Sequence, residues 1–67
     1  MRICVNGEDL DWEGGSVADL VRRQGLDPAR KGYAVALNGE VLARDDWAVC
    51  RPAAGDRVEI VGMYKGG

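Results

Sequence analysis

The chain has 67 residues, with nine lysines and arginines against eleven aspartates and glutamates, which gives a net charge of −2. A chain of this length forms one domain and buries only about 60% of its unfolded surface, so it has little room for a deep pocket. These properties argue against an autonomous enzyme. The basic residues are scattered, and no apolar run approaches the ~20 residues of a membrane span. We therefore expect a cytoplasmic protein that binds neither nucleic acid nor a membrane.

The side chains offer little chemistry of their own. Histidine is absent, which removes the commonest general base and the usual partner of a nucleophilic serine or cysteine. Cys4 and Cys50 form no Cys-x-x-Cys motif. In a reducing cytosol they remain thiols, and we interpret them as small hydrophobic residues. We expect this chain to bind no metal and no cofactor.

The first elements are predicted to form a β-hairpin. Polar and apolar residues alternate over Arg2 to Val5 and again over Glu8 to Glu13. Between them lies Asn6-Gly7, a two-residue turn whose residues adopt the positive φ that a type I′ hairpin requires.

A short helix is predicted next. Gly14-Gly15 ends the strand, and Ser16 stands three residues before Asp19 in the spacing of a capping box. Gly25 is placed to end the helix in a left-handed cap, which gives nine or ten helical residues. Its apolar stripe of Val17, Leu20 and Val21 must pack on the sheet.

The second half of the sequence contains a second Asn-Gly hairpin and a final strand. We predict strands over Tyr33 to Leu37, Glu40 to Leu42 and Val58 to Met63, with a helical turn over Ala43 to Ala48. Trp12 and Trp47 are expected in the core.

The predicted fold class is α+β, a sheet of four or five strands with one helix on one face. The expected inward residues are apolar, namely Ile3, Val5, Leu10, Val17, Leu20, Val21, Leu26, Val35, Leu37, Val58 and Ile60. By period-two alternation the opposite face carries Cys4, Ala34, Ala36, Glu59, Val61 and Met63. Because that face is unusually apolar for a solvated surface, we interpret it as a docking surface for a partner.

The sequence ends in Gly66-Gly67. We divide the chain into a domain over residues 1–63 and a flexible tail over residues 64–67. Two glycines without side chains could pass through a channel as narrow as a peptide backbone and deliver the Gly67 carboxylate to a partner's active site. Ionised at neutral pH, this carboxylate could attack the α-phosphate of ATP. The alternative is an ordinary frayed terminus.

Three groups of residues together resemble the ThiS family of sulfur carriers. The groups are the run Ala34 to Leu42 with Arg44 and Trp47, the run Gly55 to Val61, and the final Gly66-Gly67. Ala43 and the segment Gly62 to Lys65 depart from the pattern of such carriers, in which a proline and smaller residues are often found.

The resemblance implies a ubiquitin-like β-grasp fold whose first and last strands are central and parallel. It further implies that an E1-like, ThiF-type enzyme adenylates the Gly67 carboxylate with ATP and Mg²⁺. A sulfur donor protein would convert it to a thiocarboxylate for a thiazole synthase-like acceptor. The expected partner-binding residues lie on the outer face and the tail, namely Ala36, Glu59, Val61, Met63, Tyr64 and Lys65, with Gly66 and Gly67 entering the active site. When free, the chain is expected to be a monomer.

Three alternatives remain open from the sequence. The carrier could serve molybdopterin, cysteine or secondary-metabolite synthesis. It could instead be a ubiquitin-like modifier joined to lysines through Gly67, or a noncovalent β-grasp binding module whose tail is incidental.

Overall fold

Five strands, one α-helix and one 3₁₀ turn are found in residues 1–62, the part of the chain that this computed structural model describes. The elements are β1 (Arg2–Val5), β2 (Glu8–Asp11), α1 (Val17–Arg23), β3 (Tyr33–Leu37), β4 (Glu40–Leu42), the 3₁₀ turn (Arg44–Asp46) and β5 (Arg57–Gly62). Both predicted hairpins are confirmed, since φ is positive at Asn6, Gly7, Asn38 and Gly39.

The five strands form one mixed sheet in the order β2-β1-β5-β3-β4. Strands β1 and β5 are parallel, and the other neighbouring pairs are antiparallel. The last strand of the chain therefore lies in the middle of the sheet. This topology confirms the α+β class and the parallel pairing of the first and last strands. No helix within residues 1–62 is long and apolar enough to cross a membrane.

The helix α1 begins in the predicted capping box. The Ser16 backbone N–H donates to Asp19 Oδ2 at 3.0 Å, and the Asp19 N–H donates to Ser16 Oγ at 3.2 Å. The Ser16 hydroxyl also donates to Asp19 Oδ2, at 3.2 Å. The bonds from the Ser16 backbone N–H and hydroxyl, together with the nearby Arg22 cation, hold the pKa of the Asp19 carboxyl below its ordinary value. A buried face of Val17, Ala18, Leu20 and Val21 attaches the helix to the sheet.

The helix ends in the predicted left-handed cap at Gly25, but it is shorter than the predicted nine or ten residues because Gln24 already serves as its C-cap. Gly25, with φ of 85°, donates its N–H to the Arg22 carbonyl at 2.9 Å. The Leu26 N–H donates to the Val21 carbonyl at 3.2 Å, which completes a Schellman motif. The regular helix therefore has seven residues.

The core lies between α1 and the inner face of the sheet. Its buried residues are Ile3, Val5, Trp12, Val17, Ala18, Leu20, Val21, Tyr33, Val35, Trp47 and Val58. Leu10, Leu37 and Ile60 are partly buried against it. The prediction for Leu26 was wrong: this side chain is 37% exposed, because the Schellman cap places it at the rim of the helix–sheet layer.

Two strand boundaries differ from the prediction. Strand β2 ends at Asp11, which is opposite Arg2, the first residue of β1. Strand β5 starts one residue early because both backbone groups of Arg57 are paired with Asn38. Met63, predicted to end this strand, lies outside the described residues.

Candidate functional site

Strand β5 leads to the predicted reactive end of the chain. It pairs with β1 through Arg57 and Val58, and with β3 from Val58 to Gly62. The structure therefore fixes the start of the C-terminal segment at the centre of the sheet. The predicted tail and site residues Met63, Tyr64, Lys65, Gly66 and Gly67 lie outside the described residues.

Two asparagine side chains from the hairpin turns hold β5 on opposite sides. Asn38 Oδ1 accepts a hydrogen bond from the Arg57 N–H at 2.9 Å, and the Asn38 N–H donates to the Arg57 carbonyl at 2.8 Å. Near the other end of the strand, Asn6 Oδ1 accepts from the Ile60 N–H at 2.8 Å. Each Asn-Gly turn thus forms a hairpin and also supports the central strand.

Asp56 reinforces the entry to β5. Its carboxylate accepts hydrogen bonds from the Ala53 N–H at 2.8 Å and from Asn38 Nδ2 at 3.2 Å. These bonds, chiefly the one from Ala53, hold the pKa of the Asp56 carboxyl below its ordinary value. The loop before β5 is therefore ordered by a charge-assisted contact.

The outer face of the sheet, opposite α1, carries an apolar patch. Ala34 is paired with Val61 across β3 and β5, and Ala36 with Val41 across β3 and β4. Directly paired residues project to the same face. Val41 is 79% exposed and Val61 is 55% exposed, so the patch of Ala34, Ala36, Val41 and Val61 presents methyl groups to solvent.

Charged groups border this apolar patch. Glu59 is paired with Ala36 and is exposed, while Cys4 is opposite both Asp9 and Arg57. A shallow cavity of about 200 Å³ lies between Cys4, Arg57 and Glu59. An apolar centre beside charged residues is a common arrangement in protein–protein interfaces.

The predicted partner-binding residues Ala36, Glu59 and Val61 share this outer face. Val41 belongs to it as well, although the sequence analysis did not include it. The two-residue Asn38-Gly39 turn could have identified Val41, since this turn fixes the register that places Val41 opposite Ala36. Within residues 1–62, no three His, Cys, Asp or Glu side chains are grouped so as to hold a metal ion.

A groove lies on the other side of β5, next to α1. Its volume is about 240 Å³, and the lining residues that fall within residues 1–62 are uncharged: Asn6, Gln24, Leu26, Tyr33, Ile60 and Gly62. The groove is therefore located at the last described residue of the chain, where β5 ends.

The whole chain has relatives of the same size. The ThiS family model matches residues 1–67. A crystal structure of a thiamine biosynthesis protein (ThiS) from Geobacter metallireducens is 30% identical, with a TM-score of 0.81 and full coverage of both chains. A solution NMR structure of a thiamine biosynthesis protein from the same organism is 31% identical, with a TM-score of 0.79, covering 100% of this chain and 88% of the other. None of the curated proteins matches the chain.

The sheet order, the one α-helix of residues 1–62 and these structural matches define a β-grasp protein in which the last described strand is central. Within that class, the chain belongs to the ThiS family. Members of this family are small sulfur carriers, so the chain is a carrier protein and not itself an enzyme.

Proposed function

We propose that the chain carries sulfur for thiamine biosynthesis as a thiocarboxylate at Gly67. The observation that carries this proposal is the match of the ThiS family model to residues 1–67, up to and including the glycine pair. The two similar structures bear the name of thiamine biosynthesis proteins, which favours this pathway over the others.

The proposed chemistry takes place in a ThiF-type adenylating enzyme, with ATP and Mg²⁺ bound by that enzyme. A Gly67 carboxylate oxygen bonds to the α-phosphorus of ATP while the bond to the β-phosphate oxygen breaks, and pyrophosphate leaves. Hydrosulfide delivered by a donor protein then attacks the acyl carbon through its sulfur, the bond from the acyl carbon to the AMP oxygen breaks, and AMP and a proton leave. The product is a thiocarboxylate, whose sulfur is passed to a thiazole synthase-like acceptor. Because the activation consumes ATP, we place it in the cytoplasm.

In this scheme the folded domain provides the surface on which the adenylating enzyme docks. The apolar patch lies on the outer face of the strands that lead to the tail, and its Val61 is one residue before the last described residue. In this proposal the adenylating enzyme docks on this patch and on Glu59 beside it. The enzyme also recognises the C-terminal segment through Met63, Tyr64 and Lys65. Burial of the exposed valines would supply the affinity, and Glu59 the orientation.

The test is a reconstitution with intact-mass detection. The chain is incubated with the ThiF-type enzyme, MgATP and a sulfur donor, and sulfur should replace one carboxylate oxygen. A control chain with one alanine added after Gly67 should remain unmodified, because its carboxylate lies one residue too far along. Unchanged mass of the natural chain, in the presence of an enzyme shown to be active on another carrier, would refute the proposal.

A further inference from the structure

Strand β5 is longer than its parallel neighbour β1, and this difference exposes part of a central strand. Strand β1 ends at Val5 and pairs only with Arg57 and Val58. Strand β5 continues to Gly62, and beyond Val58 only β3 lies beside it among residues 1–62. The edge from Ile60 to Gly62 is therefore open on the side that β1 occupies lower in the sheet.

The backbone groups on this edge face the missing neighbour. The Val58 carbonyl accepts a hydrogen bond from the Asn6 N–H at 2.9 Å, and the Ile60 N–H donates to Asn6 Oδ1. Because hydrogen-bonding direction alternates along a strand, the Ile60 carbonyl and the Gly62 N–H point to the same side. Asn6 thus completes the last rung of the β1 ladder, and the next rung has no strand within residues 1–62.

The uncharged groove runs beside this open edge. Leu26 and Ile60 provide its apolar surface, and Gly62 contributes no side chain. Glycine within a strand allows another backbone to approach closely. The exposed Leu26 side chain, which the sequence did not predict, therefore forms one wall of the groove.

The length of the chain after Gly62 limits how far from the end of β5 the adenylating enzyme can lie during activation. Five residues follow Gly62, and at roughly 3.6 Å per residue they reach about 18 Å at most. An enzyme that acts on the Gly67 carboxylate must bring its active site within that distance of Gly62. Part of that enzyme therefore lies close to the point where the chain leaves β5.

We propose that an extended segment of the adenylating enzyme adds to the open edge of β5 beyond Asn6, with a neutral apolar side chain in the groove between Leu26 and Ile60. The main chain of the segment would pair with the Ile60 carbonyl and the Gly62 N–H, as in other cases of strand addition. This contact lies on the side of β5 next to α1, separate from the apolar patch on the outer face. It rests on the proposed function, because it takes the adenylating enzyme as the partner.

The first measurement is amide hydrogen exchange by NMR. Exchange at Gly62 is followed in the free chain and in its complex with the ThiF-type enzyme without ATP. We expect protection of the Gly62 amide to rise by about tenfold or more in the complex. Equal protection in the free chain would mean that the chain's own tail covers the edge. Protection that rises with the concentration of the free chain would mean that a second copy does. Either result, or no protection in the complex, overturns the proposal.

The second measurement tests the groove. Leu26→Ser should weaken binding to the adenylating enzyme by about tenfold. Val49→Ser is the matched control, because Val49 is 73% exposed and does not line the groove. ATP–pyrophosphate exchange with the natural chain is run in parallel. If the natural chain is inactive, the proposed function fails; if it is active and Leu26→Ser binds equally well, only the strand-addition proposal fails.

Discussion

The Arg44 guanidinium carbon lies 4.3 Å from the centroid of the Trp47 ring. It also lies 5.5 Å from the centroid of Tyr33, whose ring is stacked on Trp47 with the centroids 6.0 Å apart. Arg44 donates hydrogen bonds to the Pro28 and Tyr33 carbonyls. One side chain therefore connects the loop after α1, strand β3 and the indole that closes the core.

Replacing Arg44 should destabilise the domain without impairing its activation. We expect Arg44→Leu to lower the free energy of unfolding by about 2 kcal/mol, since two carbonyls and two rings lose their cationic partner. Chemical denaturation measures this loss, and adenylation is assayed well below the unfolding temperature. Arg30→Leu is the control at an exposed arginine. An equal effect of the two substitutions would contradict the assigned role of Arg44.

The two contributions of Asn6 can be separated by substitution. Asn6→Gly keeps the positive φ but removes the acceptor of the Ile60 N–H, and should cost roughly 1 kcal/mol of unfolding free energy. Asn6→Asp keeps both an oxygen acceptor and a tolerance of positive φ, and should cost less. Urea denaturation of the three chains compares them. If Asn6→Asp were less stable than Asn6→Gly, the hydrogen bond to the Ile60 N–H would not be the main contribution of Asn6.

The depressed pKa of Asp56 predicts a pH-dependent contribution to stability. A group whose folded pKa is below its unfolded value stabilises the fold above the unfolded pKa, about 3.9, and loses that contribution as the pH falls through the folded pKa. The gap in unfolding free energy between the natural chain and Asp56→Asn should therefore shrink between about pH 6 and pH 2.5. Denaturation curves measured across this pH range test the prediction. A difference in unfolding free energy that stays constant with pH would contradict it.

Gly66→Ala should slow adenylation by roughly tenfold or more, because a methyl group must enter a channel fitted to bare backbone. The melting temperature should stay unchanged, since the five strands and the helix described within residues 1–62 do not include Gly66. Initial rates of pyrophosphate release and a thermal melt measure the two effects. A parallel loss of folding stability would show that Gly66 also supports the domain.

Val61→Glu should weaken binding to the adenylating enzyme, because it places a charge in the apolar patch. The expected increase in Kd is at least about tenfold. Val49→Glu is the control, since Val49 is also exposed but lies outside the patch. Titration calorimetry gives both values. Equal affinities would mean that the patch is ordinary surface.

Much of the fold could be predicted because its signals are local. The Asn-Gly turns set the two hairpins, the alternation set the strand faces, and the Ser16 and Asp19 spacing set the start of the helix. The start of β5 at Arg57 depends on its contact with Asn38, which is distant in the chain, and alternation does not encode such a contact. The exposure of Leu26 depends on where the Schellman cap directs the chain, which a hydrophobic pattern does not encode either. The candidate site divides in the same way. Val61 and Ala36 followed from periodicity, whereas the open edge of β5 depends on where β1 turns away from it.

The position of β5 between two neighbours has a mechanical consequence. A force applied at Gly62 along the axis of this strand would load the hydrogen bonds with β1 and β3 at the same time, in shear. Peeling one bond after another would require a strand at the rim of the sheet. The pairing of β5 on both sides therefore protects the domain against unravelling from the Gly62 end of this strand.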